Sequence, residues 1–172
     1  MKKLLGLIFL LVFVFIIAGC DLLMGGDLEK KMAEYNEADS VTIKQEFIQE
    51  GKVVGTQTMK FDGAKYHAKT TSDDYTHENY YSADYRYSKR DEVWVREPFE
   101  HSQTKPKIDF EWFTKKGSKY ELKTENYSDM GVSSSEIESI IAEVIKGNIV
   151  ITITYLPTVE DGRVCKIYFS NV

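Results

Sequence analysis

Cysteine, proline and histidine are scarce in this chain. Among 172 residues there are two cysteines, three prolines and three histidines. Two cysteines exclude a disulfide-stapled framework. Three prolines exclude a polyproline or low-complexity linker protein. His67, His77 and His101 are scattered, with no pair at helical i,i+4 spacing of the kind that zinc enzymes use. There is no Gly-x-Ser-x-Gly, no His-Glu-x-x-His and no phosphate-binding glycine loop. The residues thus point away from an enzyme, a resident metal or a cofactor. His67 and His77 flank Asp73-Asp74, but a polar surface loop accounts for those four without a cation. Paired carboxylates are always available among 27 acids, so their presence decides nothing.

What is present divides into two materials. Residues 1–19 hold two lysines, no acid and a dense apolar run from Leu4 to Ala18 broken only by Gly6. Without them 20 basic and 27 acidic side chains remain, a net charge of −7. An acidic body of this kind gives no electrostatic footprint for nucleic acid. Its length suits one domain able to bury a sizeable core. The apolar run is short for a spanning helix, which needs about 20 residues. A basic start, an apolar stretch and small residues at its end have the layout of a secretory signal peptide.

Ile17-Ala18-Gly19-Cys20 resembles the lipobox of bacterial lipoproteins. That resemblance implies cleavage before Cys20, a thioether-linked diacylglycerol on its sulfur and acylation of the new amino group. Each buried methylene contributes about 0.8 kcal/mol, and two or three chains give stable attachment without a spanning helix. The implied partner is the membrane, and the implied location is the extracytoplasmic face of the bacterial cell membrane. An uncleaved anchor with an incidental cysteine is the competing reading. Residues 1–19 are thus expected to be a signal peptide, 20–27 a lipidated tether, and 28–172 a single β-rich domain. With Cys20 modified, Cys165 has no cysteine left to pair with and reads as a small core residue beside Ile167 and Phe169.

Within the exported part, Leu28, Met32 and Tyr35 make a narrow helical stripe over about 28–37. From Val41 the period becomes two. Hairpin signals at Glu50-Gly51 and Asp62-Gly63 lead into a third strand over 65–70, then short runs over 79–82, 85–89 and 92–96. Further strands are expected over 108–114, 119–124, 149–155 and 164–170. Valine and isoleucine together number 22 beyond residue 19 against five leucines, a balance that favours strands. Ser133 to Lys146 reads differently. Ile137, Ile140, Ile141, Val144 and Ile145 share one helical face, Ser133 and Glu136 match a capping box, and Gly147 supplies a stop.

The expectation is therefore an α+β fold. A long curved antiparallel sheet of about 9–10 strands would carry a short N-terminal helix and one amphipathic helix on its concave face. This order of elements resembles the half-barrel of bacterial lipoprotein carriers of the LolA or LppX type, including the Asp84–Pro98 segment. The resemblance implies binding of a lipid or acyl chain between sheet and helix, without catalysis.

Six of eleven tyrosines fall between residues 66 and 87. Tyr66, Tyr80, Tyr85 and Tyr87, with Trp94, Phe110 and Trp112, make an aromatic zone. Such a zone serves as a stacking surface for a sugar, peptide or lipid headgroup, or is ordinary cross-strand packing. Together with Ile137, Ile141 and Val144 these residues are the candidate ligand-binding set. The alternative function is an envelope module that contacts a protein or polymer through an exposed aromatic sheet face. Alternation sets Trp94 opposite in direction to Val93 and Val95.

Overall fold

Alternating side chains pair off more than half of the described residues into antiparallel ladders. The computed structural model describes residues 28–171 apart from positions 83, 91, 100–103, 160 and 161. The expected signal peptide, tether and Cys20 lie outside the described residues, as does His101. A helix, α1, spans 28–37. It is followed by β1 (Ser40–Gln49), β2 (Lys52–Asp62), β3 (Lys65–Ser72), β4 (Thr76–Tyr81), β5 (Tyr85–Arg90) and β6 (Val93–Pro98). The second half supplies β7 (Phe113–Lys116), β8 (Lys119–Leu122), β9 (Ile137–Ile145), β10 (Asn148–Tyr155) and β11 (Val164–Asn171).

All eleven strands form one sheet in the order β6-β5-β4-β3-β2-β1-β11-β10-β9-β8-β7. Strands consecutive in the chain lie side by side except β6 and β7, and the first and last strands meet within the sheet, Val41 facing Asn171 and Ile48 facing Val164. The sheet edges, β6 and β7, are consecutive in the chain, so the segment between them travels from one edge to the other. The architecture is α+β in its coarse outline, one long antiparallel sheet with one helix.

The expected helix over 133–146 is not formed. Residues 137–145 are β9, paired to β10 with Ile140 facing Ile153, Ala142 facing Ile151 and Val144 facing Ile149. Ile140, Ala142 and Val144 also alternate, and the stiff χ1 of the segment's five β-branched residues suits a pleated surface. Lys146 and Gly147, with φ of 51° and 80°, are both left-handed and form a two-residue hairpin turn rather than a helix stop. Glu136 does not close a capping box. Its amide donates to Ser133 O at 3.2 Å in a turn, and its carbonyl accepts from Leu156 N at 2.9 Å. The strand expected over 108–114 is likewise shortened. The Asp109 carboxylate accepts from the Glu111 amide at 3.1 Å and draws Phe110–Trp112 into a 3-10 turn before β7 begins.

One sheet face, here the inner face, carries the core. Val41, Ile43, Phe61, Ile140, Ile151, Ile153, Cys165, Ile167 and Phe169 are buried there. Leu28, Met32 and Tyr35 of α1 are buried in the same cluster, and the Tyr35 ring meets Phe169 edge-on at 5.2 Å between centroids. The helix that covers the inner face is therefore α1.

Candidate functional site

Two regions have the shape and chemistry to hold a ligand, one on each face of the sheet. The inner one is built by the segment that joins the edges. Within it, residues 104–109 are strapped to α1. Lys105 Nζ donates to the carbonyls of Tyr35 and Asn36, both at 2.8 Å, and to that of Ala38. These are carbonyls that a helix end leaves without intrahelical partners, and a cation there also opposes the negative end of the helix dipole. The Tyr35 hydroxyl donates to Pro106 O at 2.9 Å. Asn36 donates to Ile108 O at 2.5 Å and accepts from Ile108 N at 3.1 Å. Fastened this way, Ile108 is buried against the sheet.

Beneath the strap is a cavity of about 280 Å³. The sheet contributes Ile43, Met59, Ile167 and Phe169, and the strap contributes Pro106 and Ile108. Met130 closes one side, while Gln45, Lys107 and Asp129 are the polar groups on its wall. Small-molecule sites begin at roughly 300 Å³ and are mostly apolar with a few polar groups. A larger hollow of about 310 Å³ lies where α1 meets the Gly63 turn. Phe61 is the one bulky apolar side chain lining it, so it offers little to an apolar ligand.

The outer region follows from strand register. Lys60 faces His67, His67 faces Tyr80, Tyr80 faces Tyr87 and Tyr87 faces Arg96, a straight row across β2 to β6. The His67 and Tyr80 rings stack at 4.2 Å with an interplanar angle of 14°, and Trp94 meets Tyr80 at 5.3 Å. His67 Nε2 lies 2.9 Å from Glu78 Oε1, and the Tyr80 hydroxyl donates to the same oxygen at 3.3 Å. The His67 contact holds the Glu78 carboxyl below its ordinary value. Burial, then the adjacent Glu78, raises the Tyr80 hydroxyl. A histidine–carboxylate pair is half of a nucleophile-activating arrangement. Among the described residues, however, no serine, threonine or cysteine is hydrogen-bonded to His67. No cluster of three or more metal-ligating side chains occurs among the described residues either.

The residues singled out from sequence are thus distributed, not gathered. Tyr80, Tyr85, Tyr87 and Trp94 belong to the outer face by register, Tyr66 to the inner one. Trp94 and Tyr80 are each 44% exposed. Val93, on the face opposite Trp94, is 62% exposed, because it sits at the start of an edge strand. Phe110 and Trp112 pack partly buried against the core. Ile137 is core and Val144 packs on it, whereas Ile141 faces Thr152 and Glu121 with the outward set. The expected cavity wall of Ile137, Ile141 and Val144 depended on a helix that is a strand. The cavity residues Ile43, Ile167 and Phe169 carry an alternation signal. Ile108 and Met130 have none, because long-range contacts alone place them.

Cys165 is buried on the inner face, and burial pushes its thiol up to about 11. No helix among the described residues is long and apolar enough to cross a membrane. No known protein family matches the chain, and no curated protein matches it.

Proposed function

We propose that this chain is a membrane-anchored extracytoplasmic lipoprotein that binds an acyl chain or similar apolar ligand, without catalysis. The ligand site is the cavity between the inner sheet face and the 104–109 strap. Its wall of Ile43, Met59, Ile108, Ile167 and Phe169 supports this reading. Its volume, about 280 Å³, suits one slender chain better than a whole lipid. Lys107 and Asp129 offer charges that can meet a polar head. The anchor follows from the lipobox-like Ile17-Ala18-Gly19-Cys20, and a sheet with one covering helix is compatible with a half-barrel carrier.

Two separate measurements test the two parts. Intact-mass spectrometry of extract-purified protein should find diacyl mass on Cys20, and an unmodified Cys20 overturns the anchor. A fluorescent fatty acid should bind the wild type. It should be displaced or excluded in Met59→Trp, whose indole fills the cavity. Equal binding by a folded Met59→Trp protein overturns the inner site.

A further inference from the structure

We infer that the outer face of β2 to β6 is a second binding site, for a linear anionic polysaccharide. It lies on the opposite side of the sheet from the inner cavity and does not rest on that assignment. The row Lys60–His67–Tyr80–Tyr87–Arg96 sets three rings between two cations. Strands lie about 4.8 Å apart, so the row spans about 19 Å. That length fits several units of a chain rather than one small molecule.

The ground beside the row is recessed. A cleft of about 260 Å³ runs along His67, Tyr80 and Tyr87 toward Ser82, with Lys60, Asp62 and Lys65 also lining it. Ring carbons supply an almost wholly apolar wall for the C–H face of a sugar, while the Tyr80 hydroxyl is engaged by Glu78 and the Ser82 hydroxyl by the Tyr85 backbone. The Tyr80 ring is held upright by its stack on His67, which in turn is fixed by Glu78. Little ordering is therefore left to be lost when a ligand enters.

Charge selects the class of occupant. Lys60, Lys65 and Arg96 form no ion pair among the described residues. Arg96 rests only on the Tyr85 ring, 4.5 Å from its centroid. Three cations outnumber the Asp62 and Glu78 carboxylates beside them and, on a body with net charge −7 beyond residue 19, leave a locally positive site that complements a carboxylated or phosphorylated glycan. Long-range repulsion from the acidic body is screened beyond roughly 8–10 Å in physiological salt, whereas contacts within the cleft are not.

The test is calorimetric titration of the full chain in detergent with oligogalacturonate, its methyl ester and glycerophosphoglycerol, the water-soluble headgroup of an anionic lipid. Oligogalacturonate should bind, and the uncharged ester should bind at least tenfold more weakly. Lys60→Gln and Arg96→Gln alter exposed positions. Each should weaken oligogalacturonate binding several-fold with no change in the melting midpoint, and Tyr80→Ala should weaken it further. Because the two charge variants leave the rings in place, they decide the matter even if Tyr80→Ala fails to fold. Absence of oligogalacturonate binding, equal affinity for the ester, indifference to Lys60→Gln and Arg96→Gln, or binding of glycerophosphoglycerol alone overturns the assignment.

Discussion

Asn36 holds Ile108 in both directions, donating to its carbonyl and accepting from its amide across 72 positions of sequence. A side chain here does what a neighbouring strand does elsewhere in the molecule. It satisfies both backbone groups of a residue that belongs to no ladder. The 104–109 strap thus closes over the inner face without becoming a strand.

Replacing Asn36 by leucine keeps the bulk and removes both bonds. A buried backbone group left unsatisfied costs about 1–3 kcal/mol. Urea denaturation of N36L should therefore show a loss in that range. Amide exchange at Ile108 should accelerate more than exchange in β1. A uniform acceleration would mean that Asn36 stabilises the whole domain and not the strap in particular.

Lys105 is the second fastening. In Lys105→Met the ammonium group is lost from the carbonyls of Tyr35, Asn36 and Ala38. Helix-end cations contribute roughly 0.3–1 kcal/mol at the surface and up to about 2 when partly buried. The variant should lose about 1–2 kcal/mol in the same denaturation assay. Lys105→Arg, which keeps a charge, should lose less.

The turn between β9 and β10 distinguishes hairpin from helix end. Lys146 adopts φ of 51° and Gly147 φ of 80°, a conformation that asparagine followed by glycine prefers. Lys146→Asn should raise stability by a few tenths of a kcal/mol. Gly147→Ala should lower it by about 1 kcal/mol, since a left-handed position disfavours a Cβ. Thermal melts of the two variants should move in opposite directions.

Cys165 links stability to alkaline pH. Its thiol ionises near 11 when folded, against an ordinary 9. The folded state thus favours the protonated form, and this contribution is complete below pH 9. As pH climbs from 9 to 11 the unfolded chain gains a thiolate that the folded one does not, and stability falls. Cys165→Ala should flatten that decline in the ΔG–pH profile. A thiol reagent at pH 8 should label the native protein far more slowly than the urea-unfolded one.

Much of this fold is legible from alternation. The hairpins at Glu50-Gly51 and Asp62-Gly63 form where their turn residues place them, with φ of 49° at Glu50 and 56° at Gly63. Leu28, Met32 and Tyr35 form the buried helical stripe. The 133–146 segment misleads because its isoleucines satisfy two periods at once, and only the partners Ile149, Ile151 and Ile153 decide between them. Eleven strands form where nine or ten were expected. The sites were less legible. Tyr87 and Trp94 share a face as alternation requires, but the Lys60-to-Arg96 row exists only once four registers are fixed. The strap carries no periodicity, and residues distant in sequence hold it in place.

Pairing of β1 with β11 gives the sheet the connectivity of a ring cut once, with the cut bridged by the strap. During synthesis β1 emerges more than a hundred residues ahead of its partner β11. Until β11 arrives, β1 and β10 both present bare backbone edges, and neither half of the sheet has its neighbour. Contacts so distant in sequence are slow to form, and open edges invite pairing with other chains. A chain stopped a few residues short of Val164 would be missing the strand that joins the two halves of its sheet and not merely its tail.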